Sequence, residues 1–150
     1  MTHVVIRTQG IKEWNARLSG MKSKVLTPEP YLRTMIVPDL ERVEMAIFRS
    51  QGRRGGGSWK HLNQDYLIRK IREGKSTAIN VAWGNLLNSL VDSDSDGAVR
   101  QIVGDRLFFG SNRRGAAQSQ KYRPILRFTV YDRERWGRLW LDYITKVTNV

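Results

Sequence analysis

The amino-acid sequence predicts an α+β fold, an antiparallel β-meander packed against helices with a long amphipathic helix at the C-terminal end. Three observations point to this class. Apolar residues recur at helical spacing through the first half; residues from about 86 to 110 read as short strands joined by tight turns; and residues 129 to about 147 carry the clearest one-sided apolar stripe. With 150 residues, 40% of them hydrophobic, the chain has enough apolar material for the core of one domain spanning 1–150.

Along the chain, a short strand is predicted over residues 3–8, then a helix over 11 to about 21 with Ile11, Trp14 and Leu18 on one face. After Pro28 and Pro30 a helical pattern runs through Leu32, Ile36, Leu40, Val43 and Ile47, with Pro38 inside it. Proline has no amide hydrogen for the helical ladder and its ring crowds the preceding turn. The pattern therefore predicts a kink, or a helix that restarts with Pro38 in its first turn. Residues 64–73 are predicted as a helix with Leu67, Ile68 and Ile71 turned inward and Gly74 as a left-handed cap. Strands are predicted over 88–91, 98–103 and 106–110, linked by Asp92-Ser-Asp-Ser-Asp-Gly97 and Gly104-Asp105. In the final helix Trp136, Leu139, Trp140, Tyr143 and Val147 form the stripe. Thr129-Val-Tyr-Asp132 has the spacing of a capping box, with Asp where Glu is usual.

Lys and Arg number 26 against 14 acidic residues, a net charge of +12, which excludes an acidic solvating module. Such a balance suits nucleic acid, an acidic protein surface or a merely solvated surface. The excess is concentrated: residues 51–76 and 112–127 each carry a net +5, ten of the twelve charges. The absence of Cys removes disulfides, thiolate nucleophiles and Cys-ligated metals; His3 and His61 lie far apart, and no metal or cofactor is expected. The longest apolar run, 45–48, is far too short to span a membrane, and the first residues lack the pattern of a secretory signal. The expected location is the cytoplasm, or a virion part assembled there.

Four motif matches suggest chemistry and fail on context. Asp92-x-Asp94-x-Asp96-Gly97 copies the start of an EF-hand loop, but Val103 stands where the bidentate carboxylate is needed; a hairpin turn is expected instead. Gly74-Lys75-Ser76 echoes a phosphate-binding loop without its first glycine, Arg69 taking that place. Pro38-Asp39 with Glu73-Gly-Lys75 spells a restriction-nuclease pattern, yet both halves fall at helix ends instead of on adjacent strands. His61 and Asp65 could share a helical face but have neither a third ligand nor a nucleophile. No enzymatic activity is expected.

The basic loops offer more. Gly52-Arg-Arg-Gly55 looks like the clamp by which KH domains hold nucleic-acid phosphates, although Gln51 replaces the hydrophobic residue expected before it. Paired arginines on glycine loops equally suit carboxylates of a partner protein. Arg53, Arg54, Arg113 and Arg114 are thus the candidate partner- or phosphate-binding residues, with plain solvated charge as the third reading. Because they lie in loops, changing all four to Glu is expected to leave folding nearly intact while abolishing docking. Trp14, Trp136 and Trp140 fit the core better than base-stacking platforms; Trp59 and Trp83 are undecided.

Residues 48–90 and 122–144 together resemble the phage virion morphogenesis, or tail completion, family of tailed bacteriophages. The pieces are Phe48 and Gly52, Trp59-Lys-His-Leu62, the basic helix Tyr66-Leu-Ile-Arg-Lys-Ile-Arg72, Gly84-Asn-Leu-Leu-Asn-Ser-Leu90, and Arg123-Pro-Ile-Leu126 followed by Asp132-Arg-Glu-Arg135 and Leu141-Asp-Tyr-Ile144. Residues 112–121 replace the family's Tyr-Ala-x-x-His-Gln-x-Gly stretch, and the Gly84 piece has one extra residue before its serine. The resemblance implies a virion structural protein acting in tail completion or the head-to-tail neck. It would close into a homo-oligomeric ring, six copies matching tail symmetry, and dock to neighbouring tail or connector proteins. Contact with DNA stays open, and the alternative is a nucleic-acid-binding protein using the two arginine loops.

Overall fold

Among the described residues, Pro28 and Pro30 open the first long helical run. The structure, a computed structural model, describes residues 19–20 and 28–148. The strand predicted over 3–8 and Trp14 lie outside the described residues, as does the helix predicted over 11–21 apart from Ser19 and Gly20, which are helical. From Pro28 a single α-turn, Glu29–Tyr31, leads into a π-helical stretch, Leu32–Ile36, and then into α1, Val37–Arg49. Pro38, in the first turn of α1, has no N–H to give the Thr34 carbonyl, so the ladder widens: the Val37 amide reaches back to the Leu32 carbonyl. The Thr34 hydroxyl donates to the Pro30 carbonyl, 2.6 Å away. The helix restarts where the sequence predicts, through a π-helical widening.

After a short 3-10 turn, Arg53–Gly55, α2 spans Gln64–Arg72. Asn63 caps it by accepting from the Asp65 amide, and Gly74 takes the left-handed conformation expected of it (φ +67°). Of the three residues predicted to face inward, only Leu67 is even half-buried. Lys70 is buried at 3% exposure, whereas Ile68 and Ile71 are 47% and 58% exposed. The irregular chain that follows α2 has carbonyls without a ladder, and the Lys70 ammonium donates to two of them, Ala78 at 2.8 Å and Val81 at 2.9 Å. Satisfying those acceptors turns Lys70 inward and the two isoleucines out.

The strand predicted over 88–91 is instead part of a helix, α3, Asn85–Val91. Leu86, Leu87, Leu90 and Val91 fit one helical face as well as a strand, a short apolar run that periodicity alone cannot assign. Gly84 (φ +84°) turns the chain into it. The meander thus reduces to a hairpin. β1 (Ala98–Val103) and β2 (Arg106–Ser111) pair antiparallel from Ala98↔Ser111 to Val103↔Arg106 across the Gly104-Asp105 turn. Asp92–Gly97 is no hairpin turn but the link from α3 to β1, where the Asp92 carboxylate accepts from the Asp94 amide. A further helix that the sequence pattern does not announce, α4 (Ala116–Tyr122), precedes the long α5, Val130–Thr148. The capping box forms: the Thr129 amide and hydroxyl donate to Asp132 Oδ2, at 2.8 and 2.7 Å, and the Asp132 amide points back at the Thr129 hydroxyl. With five helices and one two-stranded antiparallel sheet among the described residues, the fold is α+β.

α1 joins two apolar clusters. Val43, Ile47 and Phe48 at its C-terminal end pack with Trp59, Ile79, Leu90 and Ile125. Tyr31, Ile36 and Leu40 pack with the α5 stripe of Trp136, Leu139, Trp140 and Tyr143; Val147 lies outside the described side chains. Phe109 and Phe128 touch both clusters. Fully buried Ile47 and Leu90 each contribute about 1.5–3 kcal/mol. Arg100 staples the hairpin to the helices: its guanidinium lies over the Phe109 ring and donates to Glu41 and to the Ser89 and Gly110 carbonyls.

Candidate anion-binding groove

The arginines singled out in the sequence fall into different environments. The 52–57 loop is fixed from within. Gly52 (φ +89°) packs so closely on the Trp59 indole that a Cβ would sit 2.5 Å from its Cδ1. Gln51, in place of the clamp's hydrophobic residue, donates to the Phe48 carbonyl and accepts from the Ile79 amide. From this loop Arg54 reaches Asp132, its Nη2 2.5 Å from Oδ1 and its Nη1 3.2 Å from Oδ2. Asp132 has no exposed surface. Burial pushes its carboxyl up, but the hydrogen bonds from Arg54 and Thr129 together outweigh burial and hold it down at about 2. Arg113 bonds the Asp96 carboxylate at 2.7 Å and the Asp96 carbonyl at 2.9 Å, tying the α3–β1 link to the end of β2.

Two of the four arginines therefore form internal ion pairs, Arg54 with a buried carboxylate and Arg113 with an exposed one, so replacing all four by Glu is now expected to destabilise the fold, chiefly through Arg54. Arg53 is exposed beside a cavity of about 380 Å³ lined by Gln51, His61, Leu62 and Thr77 among others. Arg114 is exposed on a second, larger one.

That second cavity, about 750 Å³, is a groove between α2, the 80–82 segment and α4. Lys60, Lys70, Arg114 and Arg123 line it together with Tyr66, Tyr122, Asn63 and Asn80, and no carboxylate is among the lining residues. None of the four cations belongs to an ion pair among the described residues. Lys60 is held in place because the Trp59 indole donates to the Pro124 carbonyl at 2.9 Å, while Arg123 Nε donates to the Lys60 carbonyl at 3.2 Å. The Lys70 ammonium is pushed below the usual lysine range by burial and by the like charges of Lys75 and Arg123. The Asn80 side-chain Nδ2 is buried beneath the groove with no hydrogen-bond partner among the described residues. Tyr66 and Tyr122 are 41% and 64% exposed, each with a cation near its ring: Arg69 at 4.9 Å and Lys121 at 5.2 Å. A concave surface of donors and positive charge favours an anionic, acceptor-rich ligand.

Sequence reasoning missed Lys60, Lys70, Arg123 and both tyrosines. The signal was present in the charge count, because two of the groove's walls, α2 and α4, fall in the two segments of highest net charge, 51–76 and 112–127.

The residues of the enzyme-like motifs are engaged elsewhere. Asp39 accepts from Arg135, from Arg42 and from the Trp136 indole, bracing α1 against α5. Glu73 pairs with Lys75. His61 and Asp65 are exposed, and Asn63 rather than either of them caps α2. Trp59 is buried core, whereas Trp83 is 64% exposed with Lys75 over its ring. Among the described residues no group of three or more acidic or histidine side chains is gathered for a metal, and no helix is long and apolar enough to cross a membrane. Comparison with protein-family models, curated proteins and solved structures finds no match to this chain.

Proposed function

We propose that this protein is a structural subunit of a tailed bacteriophage virion, acting in tail completion or the head-to-tail neck, where it closes into a ring and docks to adjacent tail or connector proteins. The observation that carries this reading is the ordered set of motif pieces between Phe48 and Ile144. In three dimensions several of those pieces adjoin one another. Phe48 meets the Trp59 ring edge-on at 5.2 Å, Gly52 lies against the same indole, Leu62 and Ile125 join their cluster, and Trp59 bonds Pro124.

The outward Ile68 and Ile71 on α2 suit such a subunit. Exposed apolar side chains one helical turn apart could serve as contact surface, and a closed ring needs one face of each copy to meet a different face of the next. The test is assembly. Light scattering and mass photometry on the purified protein, and copy number in isolated tails or virions, are expected to give a ring of six. Ile68→Asp with Ile71→Asp should leave a folded protein that no longer assembles. A monomer in solution and in isolated tails or virions overturns the proposal.

A further inference from the structure

We infer that the groove between α2 and α4 binds a short single-stranded nucleic-acid segment, its phosphates on Lys60, Arg114 and Arg123 and its bases against Tyr66 and Tyr122. The site goes beyond the virion role proposed above and does not rest on it. Three features select the ligand. The groove gathers cations without a carboxylate among them, so an anion entering it displaces no internal ion pair. Its exposed tyrosine rings, each with a cation beside it, offer stacking surface, and only unpaired bases have free faces to stack on them; in a duplex those faces are hidden. An acidic peptide would use the cations but not the rings. The concavity, about 750 Å³, is within the range of sites that enclose small ligands, which suits a few nucleotides better than a rigid duplex.

The experiment measures anisotropy of a fluorescent oligothymidine of 20 nucleotides, a duplex of the same length and a labelled polyglutamate, each across a salt series with the full chain. The oligothymidine is expected to bind most tightly. Lys60→Ala with Arg114→Ala should weaken it more than tenfold at low salt and flatten the salt slope by about 0.7 for each phosphate no longer neutralised. Tyr122→Ala, at an exposed position, should weaken it about fivefold or more without a change in melting temperature. Arg53→Ala, outside the groove, should leave binding unchanged. Equal affinity for the duplex, indifference to Tyr122→Ala, or a loss from Arg53→Ala as large as from the groove variants would each overturn the inference, leaving only diffuse charge. Preference for polyglutamate would assign the groove to an acidic protein segment instead, and no binding of oligothymidine at low salt would remove the site. Ring assembly is read separately, so neither result decides the other.

Discussion

Arg53 and Arg54 are neighbours in one glycine loop, yet their removal should have very unequal consequences for stability. Arg54→Ala leaves Asp132, which has no exposed surface, without its bidentate partner. Breaking a buried ion pair from one side typically costs about 3–5 kcal/mol. Here the loss is smaller, because the Arg54 side chain is 31% exposed and because Asp132 keeps its Thr129 bonds and an Arg135 guanidinium at 3.3 Å. We expect about 2–3 kcal/mol for Arg54→Ala and less than about 0.5 kcal/mol for Arg53→Ala, measured by urea unfolding at pH 7. The acid limb gives an independent check. Asp132 titrates at about 2 in the folded protein against an ordinary 3.8, so its contribution is present above that ordinary value and is lost as pH falls toward 2. That decline amounts to about 2 kcal/mol in the wild type and should shrink in Arg54→Ala. An Arg54→Ala protein as stable as wild type, with the same acid limb, would refute the reasoning.

Two further perturbations test the interior. Glu44 is fully buried on α1 with neither carboxylate oxygen hydrogen-bonded among the described residues; burial pushes its carboxyl up to about 8, Arg100 opposing and the nearby Asp132 adding to the rise. Its folded value lies above the ordinary 4.5, so stability should fall as pH rises from about 4.5 to 8, by up to about 5 kcal/mol; thermal melts across that range should be flatter for Glu44→Met, and an identical slope would rule the effect out. Gly52→Ala, where φ is +89° and the new Cβ would lie 2.5 Å from Trp59, should lose more than about 2 kcal/mol, whereas Gly56→Ala, at φ +84° with open space around it, should lose about 1; equal melting temperatures for the two would contradict the close approach.

Much of the fold is legible in local pattern, and the exceptions have a common cause. Pro38, Gly74, the 98–103 and 106–110 strands and the Thr129–Asp132 box act through groups within a few residues of themselves, and each is found where the sequence places it. The inward face of α2 is not, because it depends on carbonyls at 78 and 81 whose need for a donor no helical pattern records. The helix at 85–91 escapes the pattern for a related reason: Leu86 to Val91 is apolar enough for either element, and its packing against α1 decides.

The candidate site was harder still, because a sequence counts charges without pairing them. Arginine doublets on glycine loops look like free cations in the sequence. In the fold Arg54 and Arg113 commit their charge to Asp132 and Asp96, partners 78 and 17 residues away. Accessible cations without such partners are what a ligand can use, and those of the groove come from separate places: Lys60 beside Trp59, Arg114 before α4 and Arg123 after it, while Lys70 on α2 is spent on the Ala78 and Val81 carbonyls. The count of +5 in each of two segments named two of the groove's walls, but tertiary pairing chose which side chains face it. For a basic protein the informative quantity is therefore where charge remains after internal ion pairs are removed, and here part of that remainder, Lys60, Arg114 and Arg123, lies with Tyr66 and Tyr122 on one concave surface.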